Sequence, residues 1–298
     1  MQLDQTHIVI RRRSMLEILD LSIHVLRDHL WAFMILLGIG ILPWMVFNYF
    51  LLNWMISGEN EAAPGMSVVY WWVMFLLVAS QSQMATAFVT KYLGDATFKL
   101  EPRIGSTISY VFRRLPNLLT LHFLIRPLLF VILVSLLVLT GEMDVVGFIA
   151  WFFLPGLAGI LLVVRAARPF ANEIVLLEQT PMKASHAGQV TYSQRTKSLH
   201  GSDAALVFGR SVGTWMATIP IFFILCGIVY GFQFTISMGA AWNWFWQAFM
   251  IPIGMWLTVG LVAVVRFLTY IDTRIYQEGW DVELKIRAEA IKFKERLS

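Results

Sequence analysis

The sequence predicts an all-α polytopic membrane protein with six transmembrane helices, amphipathic inner-surface helices and both termini on the cytoplasmic side. Three observations carry that expectation. Of 298 residues, 58% are hydrophobic and only 14% charged, against roughly 25% charged in a soluble domain. The apolar residues fall in blocks of a length that a hydrocarbon core of about 30 Å demands, about 20 residues of helix. The blocks do not alternate apolar and polar positions, so they read as helices and not as barrel strands. Finally, 22 of the 23 Lys and Arg residues fall in alternate connections, which places them on one face of the membrane. The positive-inside rule makes that face cytoplasmic.

Residues 1–298 form a single integral membrane domain on this reading, with spans near 30–55, 66–90, 118–140, 145–164, 212–238 and 245–268. The inner segments are 1–29, 91–117, 165–211 and 269–298. Arg11, Arg12 and Arg13 precede the first apolar run, which starts only near Leu30 and is too long for the core of a cleaved signal peptide. Ser14 followed by Glu17 has the spacing of a capping box. Leu16, Leu19, Ile23, Leu26 and Leu30 then recur at helical spacing, so an amphipathic helix along the inner surface is expected before span one. Span two carries Ser80, Gln81, Ser82, Gln83, Thr86 and Thr90. Such side chains hydrogen-bond between helices in lipid, or line a polar path. A basic helix over 104–114 leads to span three and is expected to stop at Pro116. In the fourth connection, Thr180-Pro181 reads as the start of a short helix and 191–202 as a polar loop. Gly209, Gly213, Gly227 and Gly231 form small-xxx-small pairs, expected to pack within this chain. Trp242, Trp244 and Trp246, like Trp54, Tyr70, Trp71 and Trp72, suit the aromatic belt at the outer membrane–water boundary.

Chemistry-bearing residues are few. Arg126, one turn after His122, is the only basic residue placed inside a span other than Arg266 at the inner end of span six. Intramembrane charge points to a ligand or lipid-headgroup site, but an arginine near the inner surface also snorkels. Proline interrupts five spans, at Pro43, Pro127, Pro155, Pro220 and Pro252. Transporters break helices at their sites, yet proline is common in membrane helices generally. The sole cysteine, Cys226, leaves no disulfide within the chain and no thiolate cluster. The sequence contains no nucleotide-binding, serine-hydrolase or zinc-hydrolase motif. No catalytic residue, cofactor or metal is therefore expected, and the net charge of +4 is explained by topology without invoking nucleic acid.

Three stretches, taken together, resemble a known family. Glu17-Ile18-Leu19-Asp20 leads into span one, and Tyr92-Leu93-Gly94 precedes the basic run ending at Arg113-Arg114. Tyr270-Ile271-Asp272-Thr273-Arg274 is followed by Gln277-Glu278-Gly279-Trp280-Asp281-Val282-Glu283. This layout resembles the glycerophosphoryl diester phosphodiesterase membrane-domain-like family of prokaryotic proteins. The resemblance implies a six-helix domain of the inner membrane without the catalytic barrel found in some members, so phosphodiesterase activity is not implied. At the end of span six, Arg266, Asp272 and Arg274, with Glu278 and Asp281 beyond them, form either a structural knee or a cradle for a lipid phosphate. In the knee, Asp272 is expected to pair with a neighbouring arginine. The polar candidates are thus Arg126, His122, Gln81, Gln83 and this C-terminal group. The expected role is a non-enzymatic membrane subunit or scaffold, in contact with the bilayer, anionic lipid headgroups and other membrane subunits. The alternative is a small-solute or lipid transporter.

Overall fold

The computed structural model describes residues 13–56, 66–98, 102–125, 132, 149–182, 184, 186, 189–201, 204–237 and 246–277. Its described residues are all-helical, 90% helix with no strand among them. Four of its helical rods are long and apolar enough to cross a membrane: Leu30–Met55, Val68–Thr97, Ala204–Phe232 and Gln247–Gln277. These coincide with the first, second, fifth and sixth expected spans. A shorter apolar helix, Trp151–Ala167, occupies the place of the fourth. Most of the third expected span, including Arg126, lies outside the described residues.

Helix α1 (Met15–Asp28) begins as its sequence dictates. The Ser14 hydroxyl accepts from the Glu17 amide, and the Glu17 carboxylate accepts from the Ser14 amide at 2.8 Å. His29 then breaks regular helix before α2 (Leu30–Leu52). The stripe expected to be apolar is largely on the outside of the chain. Leu16 and Ile23 are exposed, whereas Ile18 and Ser22 are buried. Helices α3 (Met66–Ala85) and α4 (Ala87–Phe98) form one rod with a turn at Thr86. The backbone ladder continues through that turn, from Thr86 to Ser82 and from Thr90 to Thr86. Close approach of α2 to this rod depends on Gly40, where an added Cβ would lie 1.9 Å from the Ala85 carbonyl oxygen.

Helix α5 (Ile104–Leu119) runs through Pro116 instead of stopping there. Proline lacks an N–H but leaves its own carbonyl usable, and Thr120 closes on that carbonyl with both its amide and its hydroxyl. The chain widens into a π turn over Thr120–Ile125, the kind of local adjustment that re-satisfies backbone groups freed by a helix irregularity. Two further π turns, Ile149–Phe153 and Trp246–Met250, lead into α6 (Leu154–Ala167) and the last helix.

The fourth connection departs most from expectation. A short buried helix, α7 (Ala171–Leu176), follows α6. Thr180 does not cap a new helix. Its hydroxyl donates back to the Ile174 carbonyl, and Gln179 takes a left-handed backbone, φ 55°, that ends the segment. Residues expected as a loop form α8 (Tyr192–Gly201). Its start is a half capping box, with the Gln194 side chain accepting from the Thr191 amide. Buried Thr196, Leu199 and His200 anchor it, and the His200 ring stacks on Phe170.

Helix α9 (Ala204–Ser237) starts well before the expected span and is the most exposed of the four long rods. Among the described residues, Gly209, Gly227 and Gly231 have no neighbouring atom near enough to meet an added Cβ, and Gly213 meets only Met15. No described helix therefore packs closely on these small-residue pairs. Helix α10 (Ile251–Gln277) is the spine, touching α1, α3, α4 and α9. Two apolar cores flank it. One gathers Ile18, Leu36, Phe170, Phe267 and Tyr270; the other gathers Leu52, Tyr70, Leu77, Leu161 and Trp256.

Candidate functional site

The polar residues meet where the Thr86 turn, the end of α6, buried α7, the first turns of α9 and the second half of α10 converge. Helical geometry sets this up. Arg266, Tyr270 and Arg274 recur every four residues and share a side of α10, while Asp272 lies on another.

Arg266 reaches α7. Its Nε donates to Glu173 Oε1 at 2.8 Å, and its Nη2 donates to the hydroxyls of Thr90 at 3.2 Å and Thr86 at 3.4 Å. Glu173 is fully buried, and its Oε2 has no hydrogen-bond partner among the described residues. One α7 residue earlier, Asn172 donates to the Gln83 carbonyl and receives His122 Nε2 at 3.0 Å. Because the Asn172 amide nitrogen is used on Gln83, its oxygen faces His122, and the network assigns the proton to Nε2. The Gln83 amide donates to the Pro169 carbonyl at 3.3 Å.

A second group ties both ends of the chain together. Arg210 Nη1 donates to Asp272 Oδ2 at 2.6 Å, and the Arg13 amide donates to Asp272 Oδ1 at 2.9 Å. Arg210 Nη2 also donates to the Arg13 carbonyl. Asp272 thus pairs with an arginine from another helix, and not with one of its sequence neighbours. A third group surrounds Glu178. It receives Arg195 Nη2 at 2.9 Å and the Tyr270 hydroxyl at 2.6 Å, with Arg274 Nε 3.6 Å away.

Gln81 lies apart from these groups. It exchanges two hydrogen bonds with Asn48 of α2, at 3.0 and 2.9 Å. Of the residues singled out from the sequence, the structure therefore brings His122, Gln83 and Arg266 around α7 and places Asp272 and Arg274 in adjacent ion pairs. Arg126, Glu278 and Asp281 lie outside the described residues. Sequence reasoning did not reach Arg165, Asn172, Glu173, Glu178, Arg195 and Arg210. One available signal was the run Phe170–Leu177, too apolar for a solvated connection yet interrupted by Asn172-Glu173.

Between these groups lies a cavity of about 60 Å³. Its wall includes Ser82, Arg165, Ser211, Thr214, Trp215 and Arg266. Arg165 donates to Ser82 Oγ at 2.8 Å and to the Ser80 carbonyl at 3.3 Å. Among the described residues lining the cavity two are arginines and none is acidic. No group of three or more His, Cys, Asp or Glu suited to a metal ion occurs among the described residues.

No protein-family model, curated protein or solved structure matches this chain.

Proposed function

We propose that this protein is an integral membrane subunit or scaffold, non-enzymatic, with six spans and both termini in the cytoplasm of a prokaryotic cell. The observation that carries the reading is the use made of its charge. Arg195, Arg210, Arg266 and Arg274 join acids held on other elements. Charges spent on joining helices build a rigid inner end. The Arg13–Asp272–Arg210 junction supports a common side for the two termini, since it links the start of α1 to the end of α10. The resemblance to the phosphodiesterase membrane domains supports the span count. The exposed Leu16 and Ile23 suit α1 to an amphipathic position in the inner headgroup layer.

The partner-facing element is α9. Phe223, Ile228 and Phe232 are each more than 60% exposed. Photo-crosslinkers at these positions in living cells are expected to give discrete protein adducts. Adducts to lipid alone at all three positions would overturn the scaffold role. Orientation is tested separately, in a Cys226→Ala background carrying Ser198→Cys. Labelling of that thiol by an impermeant reagent from outside the cell would overturn the proposed topology.

A further inference from the structure

We infer that the surface of α5 around Arg113 is a binding site for one anionic phospholipid, in the leaflet where that helix enters the bilayer. The inference rests on the membrane character of the chain and not on the scaffold role.

Two counts place the edge of the hydrocarbon. About 20 residues of helix cross it. Counted from Val68, they bring the second rod to Phe88; counted from Gln247, they bring the last rod to Arg266. The two ends lie at one level, because Arg266 bonds to Thr86 and Thr90, which flank Phe88. Helix α5 passes this level antiparallel to α4. The Tyr110 ring lies beside Lys91, and Phe112 meets Phe88 edge-on with centroids 5.6 Å apart. The exposed side of α5 changes character at the same point. Toward its start it shows Arg103, Ser106 and Ser109; beyond them it shows Phe112, Pro116 and Leu119. A face that turns from polar to apolar along one helix marks the passage from headgroups to acyl chains.

Arg113 stands at that passage. It is exposed, and among the described residues no carboxylate pairs with it or with Arg114. Arg114 is half-buried, its guanidinium 5.9 Å from the centre of the Tyr110 ring, and Lys91 approaches the same ring at 4.5 Å. Lys91 has its own counter-ion, Asp95, at 2.9 Å. The excess positive charge at this level therefore belongs to the two arginines. The unesterified oxygens of a phosphodiester match the planar fork of a guanidinium. Phe112, Pro116 and Leu119 follow at spacings of four and three, so they form one stripe on the helix. An acyl chain of the same lipid lies on that stripe, which a soluble anion would leave uncovered. Charge and apolar surface together select an anionic lipid.

The test uses the whole chain purified in a maltoside detergent. Binding of fluorescent phosphatidylglycerol is read by anisotropy and reversed with unlabelled phosphatidylglycerol or phosphatidylcholine. Phosphatidylglycerol is expected to displace the probe at concentrations at least tenfold lower. Arg113→Gln should weaken binding about fivefold, and Arg113→Gln with Arg114→Gln about 25-fold. Arg103→Gln removes the same charge about 15 Å away along the helix, beyond the screening length of about 8 Å at physiological salt. It should leave the affinity within about twofold of wild type. Equal displacement by the two lipids would overturn the site. So would an Arg113→Gln chain that binds as wild type does, or an Arg103→Gln loss as large as that of Arg113→Gln, the mark of a diffuse field. A photo-crosslinker at exposed Ser109, one turn before Arg113, supplies the second measurement in living cells. Lipid adducts are expected there, and a discrete protein adduct would overturn the assignment.

Discussion

The Glu173–Arg266 pair is the sharpest place to test how this fold is held. Glu173 has no exposed side-chain surface, Arg266 has 10%, and their closest atoms are 2.8 Å apart. Two unit charges about 4 Å apart attract by roughly 4 kcal/mol at an effective dielectric constant of about 20. Removing both from water costs several kcal/mol per ion, so the pair as a whole contributes little net stability. Removing one member is different, because the other stays buried without its counter-ion, at a cost of about 3–5 kcal/mol. Glu173→Gln and Arg266→Met should therefore each lower unfolding free energy by that amount. The double variant, which leaves no orphaned charge, should return to within about 2 kcal/mol of wild type. The assay is reversible unfolding by SDS in mixed micelles, followed by circular dichroism for all four proteins. Single losses below about 1 kcal/mol, the level of an exposed ion pair, or a double loss equal to the sum of the singles, would refute the reasoning.

Three further outcomes follow from local geometry. Gly40→Ala drives a Cβ into the Ala85 carbonyl, whereas Gly38 has open space around its Cα; the first should cost about 1–3 kcal/mol or more as overpacking, and Gly38→Ala should cost nothing in the same unfolding assay. Ser14→Ala removes the hydroxyl that caps α1 and should lose about 1 kcal/mol locally, read as hydrogen exchange about fivefold faster at the Glu17 amide. Asn48→Leu strands the buried amide of Gln81, and adding Gln81→Leu should recover about 0.6–1.7 kcal/mol of that loss; a double variant no better than Asn48→Leu would show that the pair is not coupled.

Much of the fold was legible because lipid imposes a length rule. Spans one, five and six were visible as long apolar runs and span two as an apolar run with a polar second half, and α1 was visible because a capping box is a four-residue signal. The errors came where a local sign was misread or a distant residue decided. Thr191 and Gln194 carry half a capping box, but the polar composition of 191–202 suggested a loop. Pro116 reads as a stop because it lacks an N–H, but its carbonyl still accepts from the amide and hydroxyl of Thr120, and the helix continues through it. The site was the least legible part. Arg13 and Arg210 meet Asp272 across 259 and 62 positions of sequence, and no spacing rule links them. Asp272 was expected to pair with a neighbouring arginine, but it pairs with Arg210, and the arginine two residues on is turned to Glu178 instead.

The order of burial follows from the same physics that concealed the pairings. Of the four long rods, the least apolar, Val68–Thr97, is 83% buried over its most apolar stretch, whereas the strongly apolar Ala204–Phe232 is 12% buried. In water the ranking would be inverted. In a bilayer there is no hydrophobic gain from hiding leucine behind leucine, since lipid tails are equally apolar. What must be hidden is a hydroxyl or amide that lipid cannot satisfy. Residues Ser80 to Thr90 therefore occupy the centre, where Arg165, Arg266, Asn48 and Asn172 supply their partners. Helix α9 shows the same rule from the other side. Its N-terminal end carries the Arg210, Ser211 and Thr214 that turn inward to Asp272 and the cavity. Above them the helix has little to hydrogen-bond, and it is exposed.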